Sequence, residues 1–152
     1  MNSLATDSIF VAAITGDTDI METIGGRLYS TAIPLPDEDV DNVPVPYVIV
    51  TFDGLTNDPT TKDDPYESND DQVNISIEVS ATNREKLATL MAAIRNTVHD
   101  YMMTTADNQV MSYQLSGDAV QYDSMKPCYW QTLHYQCEVS NEDVELEENQ
   151  AN

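Results

Sequence analysis

Between Gln72 and Ala81 apolar and polar residues alternate without a fault: Val73, Ile75, Ile77 and Val79 fall on one side, Asn74, Ser76, Glu78 and Ser80 on the other. A period of two sends successive side chains to opposite faces of an extended chain, so the stretch predicts a strand with one face buried and one wet. The period then changes. Leu87, Leu90, Met91, Ile94, Val98, Tyr101 and Met102 recur every three or four positions, which gathers them on one face of a helix. Thr82 and Glu85 have the Thr-x-x-Glu spacing of a capping box and place the helix start there. Running to about Met103, such a helix measures ~30 Å at 1.5 Å per residue, enough to cross a sheet.

The neighbouring segments repeat these two patterns less strictly. Tyr47 to Asp53, YVIVTFD, is rich in β-branched and aromatic residues and predicts a buried strand. Val110 to Tyr122 and Cys128 to Val139 predict two long strands joined by a turn around Ser124 to Pro127, with Gly117 marking a bulge or a break in the first arm. In the second arm Tyr129, Leu133, Tyr135, Cys137 and Val139 share one face and Trp130 lies on the other. Nearer the start, Leu4, Phe10, Val11 and Ile14 have loosely helical spacing within Ser3 to Thr15, with Ser3 placed as N-cap and Gly16 just past the end. Asp17 to Ile24 predicts a further turn, ended by Gly25 and Gly26, after which Arg27 to Ile33 runs extended.

Two stretches follow neither period. Pro34, Pro36, Pro44 and Pro46 bracket an acidic segment and exclude helix there. From Asp53 to Asp71 apolar periodicity disappears, leaving Gly54, Pro59, Pro65 and seven acidic residues. A structureless loop of that length inside a small domain is either a contact element or a solvated insertion. Beyond Ser140 an acidic tail is expected to be flexible. Together the segments predict an α+β fold: a mainly antiparallel sheet of about four to five strands packed against a long central helix, with a short N-terminal helix. One domain is expected over residues 1–140, with the acidic loop 53–71 inserted, followed by the tail 141–152.

Composition narrows the function classes. The 152 residues suffice to bury a core without metal or disulfide staples. No run approaches the roughly 18 apolar residues of a membrane span, and the first ten residues lack the basic and apolar regions of a secretory signal, so a soluble, intracellular chain is expected. The net charge of -21, from 27 acidic against 6 basic groups, repels phosphate backbones and anionic lipid surfaces. Eleven of the acids lie between Asp37 and Asp71 and six more between Glu138 and Glu148, where solvated, mutually repelling segments are the plain expectation.

Candidate chemistry is sparse. His99 and His134 stand in no constellation with a nucleophile and are expected to be structural or surface residues. Cys128 and Cys137 are nine positions apart; on one continuous strand their Cα atoms sit ~30 Å apart on opposite faces, against the ~7 Å limit of a disulfide. Asp37, Asp39 and Asp41 open like a calcium loop, yet its sixth position is Asn42 rather than Gly and its twelfth is Val48 rather than Glu. Asn74-Ile75-Ser76 matches a glycosylation acceptor by chance inside a strand. No phosphate-binding glycine loop, nucleophile elbow or Cys/His metal set is present. The chain is therefore expected to be no enzyme, with no catalytic residue, cofactor or metal. Contact residues are the better candidates: Ala88, Ala92, Arg95 and His99 as one stripe beside the helix's apolar face, Tyr66 in the long loop, and Trp130 on the hairpin. The plainer alternatives are a solvent boundary for the stripe and core burial for Trp130.

In order, the elements read as an N-terminal helix, then ITGDTDIMETIGGRLYSTAIP, a Pro-rich link into PYVIVTFDG, the alternating strand QVNISIEVSA, a capped helix and a closing hairpin. This succession resembles the tail-completion or tail-to-head joining (tail terminator-like) family of long-tailed bacteriophages and their prophages. The similarity runs over roughly residues 4–139, most clearly in Ile14 to Tyr29 and Pro46 to Val98. The resemblance implies a subunit that assembles as a ring, hexameric in related particles, at the head-proximal end of the tail tube, where it stops tube growth and offers a docking face to the head connector. Its partners would be further copies of itself, tail tube protein, and head connector or neck proteins, with DNA passing through without specific binding and no membrane involved. The place implied is the virion tail or neck, assembled in the bacterial host cytoplasm. The family carries no catalytic residues, so none are transferred. The long acidic loop and the Glu-rich tail depart from a compact member. Rival readings are another neck or head-completion role on the same fold, and an acidic inhibitor that mimics DNA. Mimicry needs rows of carboxylates on rigid elements, whereas 17 of the 27 acids fall in the loop region and tail.

Overall fold

A computed structural model of the chain describes residues 3–30, 43–57, 70–104 and 110–140. A 3-10 turn at Ser3–Ala5 leads into α1 (Asp7–Thr15) and α2 (Thr18–Thr23), then β1 (Leu28–Tyr29), β2 (Val48–Thr56) and β3 (Asp70–Ala81). The long α3 (Arg84–Thr104) follows, and β4 (Val110–Gly117), β5 (Gln121–Asp123) and β6 (Cys128–Ser140) complete the described elements. The strands form one sheet in the order β1-β2-β3-β6-β4, with β5 pairing the start of β6. Every pairing is antiparallel except β1 with β2. The fold is α+β, with six strands in a mixed, mostly antiparallel sheet.

The alternation in β3 decides which face is buried. Val73, Ile75, Ile77 and Val79 are all fully buried, and the paired β6 adds Cys137 and Val139 with Leu133 and Tyr135. α3 lays Leu87, Leu90, Met91, Ile94, Val98 and Met102 onto this face, beside Phe10 and Ile14 of α1. The Phe10 ring meets Tyr135 edge-on at 5.0 Å between centroids. Each fully buried Ile, Val, Leu or Phe side chain contributes about 1.5–3 kcal/mol of transfer free energy, so this single face supplies most of the driving force. Both helical partners of the sheet, α1 and α3, lie on that side, and no described helix covers the other.

Several boundaries differ from those read in the sequence. The sheet has six strands rather than four to five, because Gly117 ends β4 and the arm resumes as β5, and because the two-residue β1 pairs with β2. The stretch from Asp53 is not loop throughout: β2 continues to Thr56 and β3 begins at Asp70. A bulge hides this continuation. The register passes from Phe52↔Ile75 to Gly54↔Asn74, so Asp53 is an extra residue that breaks the two-residue period, and Gly54 takes φ 133°, a conformation that only glycine adopts without strain. β2 is also less buried than expected, with Val48 and Val50 enclosed but Ile49 and Phe52 half-exposed.

The caps differ as well. The α3 start is capped by Asn83, whose Oδ1 accepts from the Lys86 N–H at 2.8 Å, rather than by the Thr82/Glu85 box. Thr6, not Ser3, stands at the N-cap of α1; Ser3 is buried and its hydroxyl donates to the Asp71 carboxylate. Asn57 donates to the other oxygen of Asp71 at 2.7 Å, so that acid is built into the sheet end instead of a solvated loop. Asp37, Asp39, Asp41, Tyr66 and the tail 141–152 lie outside the described residues. Among the described residues no helix is long and apolar enough to cross a membrane.

Candidate functional site

At 100° per residue, Arg84, Ala88, Ala92, Arg95 and His99 line up along one flank of α3, roughly 100° from the centre of its buried face, and all five are exposed. The fold sets the His99 end of this flank beside β4. The Tyr113 hydroxyl lies 2.5 Å from His99 Nδ1, and the two rings meet edge-on at 6.0 Å between centroids. Burial pushes the Tyr113 hydroxyl above its ordinary titration range, against the opposing pull of Arg95 nearby. Burial raises Tyr135 in the same way, again with Arg95 pulling the other way. Ala88 and Ala92 leave the rest of this flank shallow.

β4 itself, VMSYQLSG, contains no charged residue. It stands at the end of the sheet order, and no described strand pairs its outer edge. Natural edge strands are usually protected by charge, proline or bulges, because their free N–H and C=O groups template further pairing. β4 has a bulge between Val110 and Ser112 but neither charge nor proline. Met111 there and Met103 at the end of α3 are each nearly half exposed, at 48% and 49%.

The opposite flank of the helical layer is mainly acidic, with Lys86 beside Asp17, Asp19 and Glu85 along its groove. Asp19 and Glu22 of α2 are exposed, beside a groove of about 930 Å³ whose lining includes Ile20, Val45, Pro46, Leu90 and Ala93. Asp17 fixes this corner, its carboxylate accepting from the Ile20 N–H at 3.1 Å and the Thr97 hydroxyl at 2.6 Å.

The uncovered sheet face is polar. Asn74, Ser76 and Glu78 of β3 stand opposite Gln136, His134 and Thr132 of β6, and Gln114 and Ser116 of β4 extend the rows. Its side chains bind one another: Ser76 donates to Asp53 at 2.6 Å, Ser112 to Glu138 at 3.1 Å, and His134 pairs with Asp118 at 2.8 Å. Two shallow depressions of about 290 and 320 Å³ lie on this face. At one end Lys126 sits 5.4 Å from the Tyr47 ring centre and donates to the Val43 carbonyl. Tyr47 in turn donates to Glu78 at 3.1 Å, and burial with the Glu78 charge raises its phenol.

Both cysteines are free and buried, and burial pushes the Cys137 thiol up to about 12. A thiol so held is a poor nucleophile, because the thiolate is the reactive form. Among the described residues no group of three or more His, Cys, Asp or Glu side chains is placed to hold a metal ion.

Of the residues singled out in the sequence, Ala88, Ala92, Arg95 and His99 are thus brought together on an exposed flank. Trp130 is half-buried and lies on the opposite face of the sheet, apart from them. Sequence reasoning passed over Arg84, which continues the same spacing, and Tyr113 with the rest of β4. The signal was an eight-residue run without charge in a chain of 27 acids.

No protein-family model matches the chain, and no curated protein matches it in sequence. Among solved structures it is similar to a chain described as "Virion of native gene transfer agent (GTA) particle", with a TM-score of 0.55 and 12% identity. The likeness covers 88% of this chain and 93% of that one. At that identity it is a likeness of fold, extending over most of both chains.

Proposed function

We propose that this chain is a structural subunit of a phage-like virion, assembling as a ring, hexameric by the resemblance, at the head-proximal end of the tail. There it ends the tail tube and joins it to the head connector. The observation that carries the reading is the fold shared over most of both lengths with a chain of a gene transfer agent virion. The order of elements and the tail-completion resemblance of residues 4–139 support the same position in the particle. The work is geometric and needs no catalytic group, cofactor or metal. Residues 1–140 act as one assembling unit with the acidic tail 141–152 appended. Tyr66, Ala88, Ala92, Arg95, His99 and Trp130 are its contact residues toward neighbours. The net charge of -21 suits a channel through which DNA passes, since like charges keep the duplex from adhering.

Solution mass measurement combined with negative-stain imaging, with and without tail tubes, tests this. A ring with a central opening that caps the tubes is the expected result. A chain that stays monomeric and ignores tail tubes overturns it.

A further inference from the structure

We infer that the uncharged β4 edge, together with the basic flank of α3 beside it, is the surface that receives a second copy of this chain, docked head to tail through the acidic α2 flank of its helical layer. The inference rests on the ring reading above and names the two surfaces that would build it.

Two copies of a chain with net charge -21 repel, so a self-contact is favourable only where one facing surface lacks negative charge. Among the described strands longer than three residues, β4 alone carries no acid: β2 holds Asp53, β3 holds Asp70, Asp71 and Glu78, and β6 holds Glu138. The α3 flank that meets β4 at His99 adds Arg95 one turn earlier and Arg84 at the start of the helix, two of the six basic residues, and no acid. The exposed Met103 and Met111 supply apolar contact at its margin. Such a surface selects an acidic partner, and the electrostatic field of the whole chain disfavours nucleic acid as that partner.

The chain also carries the complement. Asp19 and Glu22 are exposed on α2, while α2 packs by Thr97 and the Leu90/Ala93 side of α3, away from the Arg95/His99 flank. The exposed acids Asp19 and Glu22 and the arginines Arg84 and Arg95 therefore lie on opposite sides of the helical layer, with Lys86 on the mainly acidic side. A two-fold contact of β4 with β4 would bring two arginine flanks together and leave the acids unused. A heterologous contact pairs opposite signs, and repetition of such a contact propagates head to tail and closes into a ring when the rotation allows.

Four proteins test this by mass photometry and gel filtration, with circular dichroism to confirm that each is folded: wild type, Arg95→Glu, the double reversal Asp19→Lys/Glu22→Arg, and all three changes in one chain. Each reversal alone is expected to weaken assembly by roughly tenfold or more, and the combined chain to recover it. Met111→Glu, which places charge on the solvent side of β4, should weaken assembly likewise. Wild-type rings that persist unchanged in every variant overturn this interface while leaving the ring reading in place. Loss without recovery in the combined chain overturns the pairing of the two flanks, as does a wild type that stops at two-fold dimers. A wild type that is monomeric alone and with tail tubes overturns both readings.

Discussion

Asp17 joins three elements with one carboxylate. It follows α1, caps α2 through Ile20 and accepts the Thr97 hydroxyl from α3. These bonds favour its charged form, chiefly the one from Thr97, and hold its carboxyl below the ordinary value of 3.8. A group with a lowered folded pKa contributes stability that is complete above its unfolded value and is lost as pH falls through the folded one. Replacing Asp17 by Ala removes a cap and a side-chain bond, and is expected to cost about 1–2 kcal/mol at pH 7. Asn, which still caps, should cost less. Urea unfolding at pH 7 and again below pH 3 provides the check: the gap between wild type and Asp17→Ala should narrow in acid, and an equal gap at both would show that the charge plays no part. Asp71 lies at the other extreme, a buried acid held by Ser3 and Asn57, at the end of a stretch read as either a contact element or a solvated insertion.

The long helix offers a direct comparison between two adjacent residues. Thr82 fits a capping motif in the sequence, but Asn83 makes the bond, to Lys86. Asn83→Ala is therefore expected to destabilise the protein by about 1 kcal/mol, and Thr82→Ala by at most a few tenths; thermal unfolding of the pair separates them, and the reverse order would restore the motif. The same contrast explains what could be read in advance. β3 and α3 were legible because Val73 to Val79 and Leu87 to Met102 hold one period through many residues, and burial against a single face enforces it. Strand continuation past Asp53 was not, because one inserted residue shifts the phase and an alternation count cannot see beyond it. β1 falls within the stretch read as extended after Gly25 and Gly26, but it is two residues long and depends on β2, so its pairing could not be read locally. On the candidate surface, the Ala88 to His99 stripe was visible as helical spacing, whereas its neighbour Tyr113 required knowledge that β4 lies at the sheet edge on that side of α3. The polar rows around Asn74, Ser76 and His134 read in the sequence only as a wet face.

The charge of the whole chain bears on both its stability and its assembly. With 27 acids against 6 basic groups, the compact state concentrates like charges that the unfolded chain spreads apart. Added salt should therefore stabilise the fold, since the screening length falls from about 10 Å at 0.1 M to about 3 Å at 1 M. A gain of about 1 kcal/mol would raise the melting temperature by ~2–4 °C in a chain of this length. Calorimetry across a sodium chloride series measures it, and a falling Tm would mean that attractive pairs outweigh the net repulsion. The strand order carries a different consequence, one of timing. β6 lies between β3 and β4, and it also pairs β5, yet it follows every other described element along the chain. During synthesis, β4 and β5 must wait without their partner, and β3 keeps one edge open until residues 128–140 emerge from the ribosome. The sheet cannot grow strand by strand in the order of translation: its middle arrives last, and until then the nascent chain displays the very edges that the finished fold conceals.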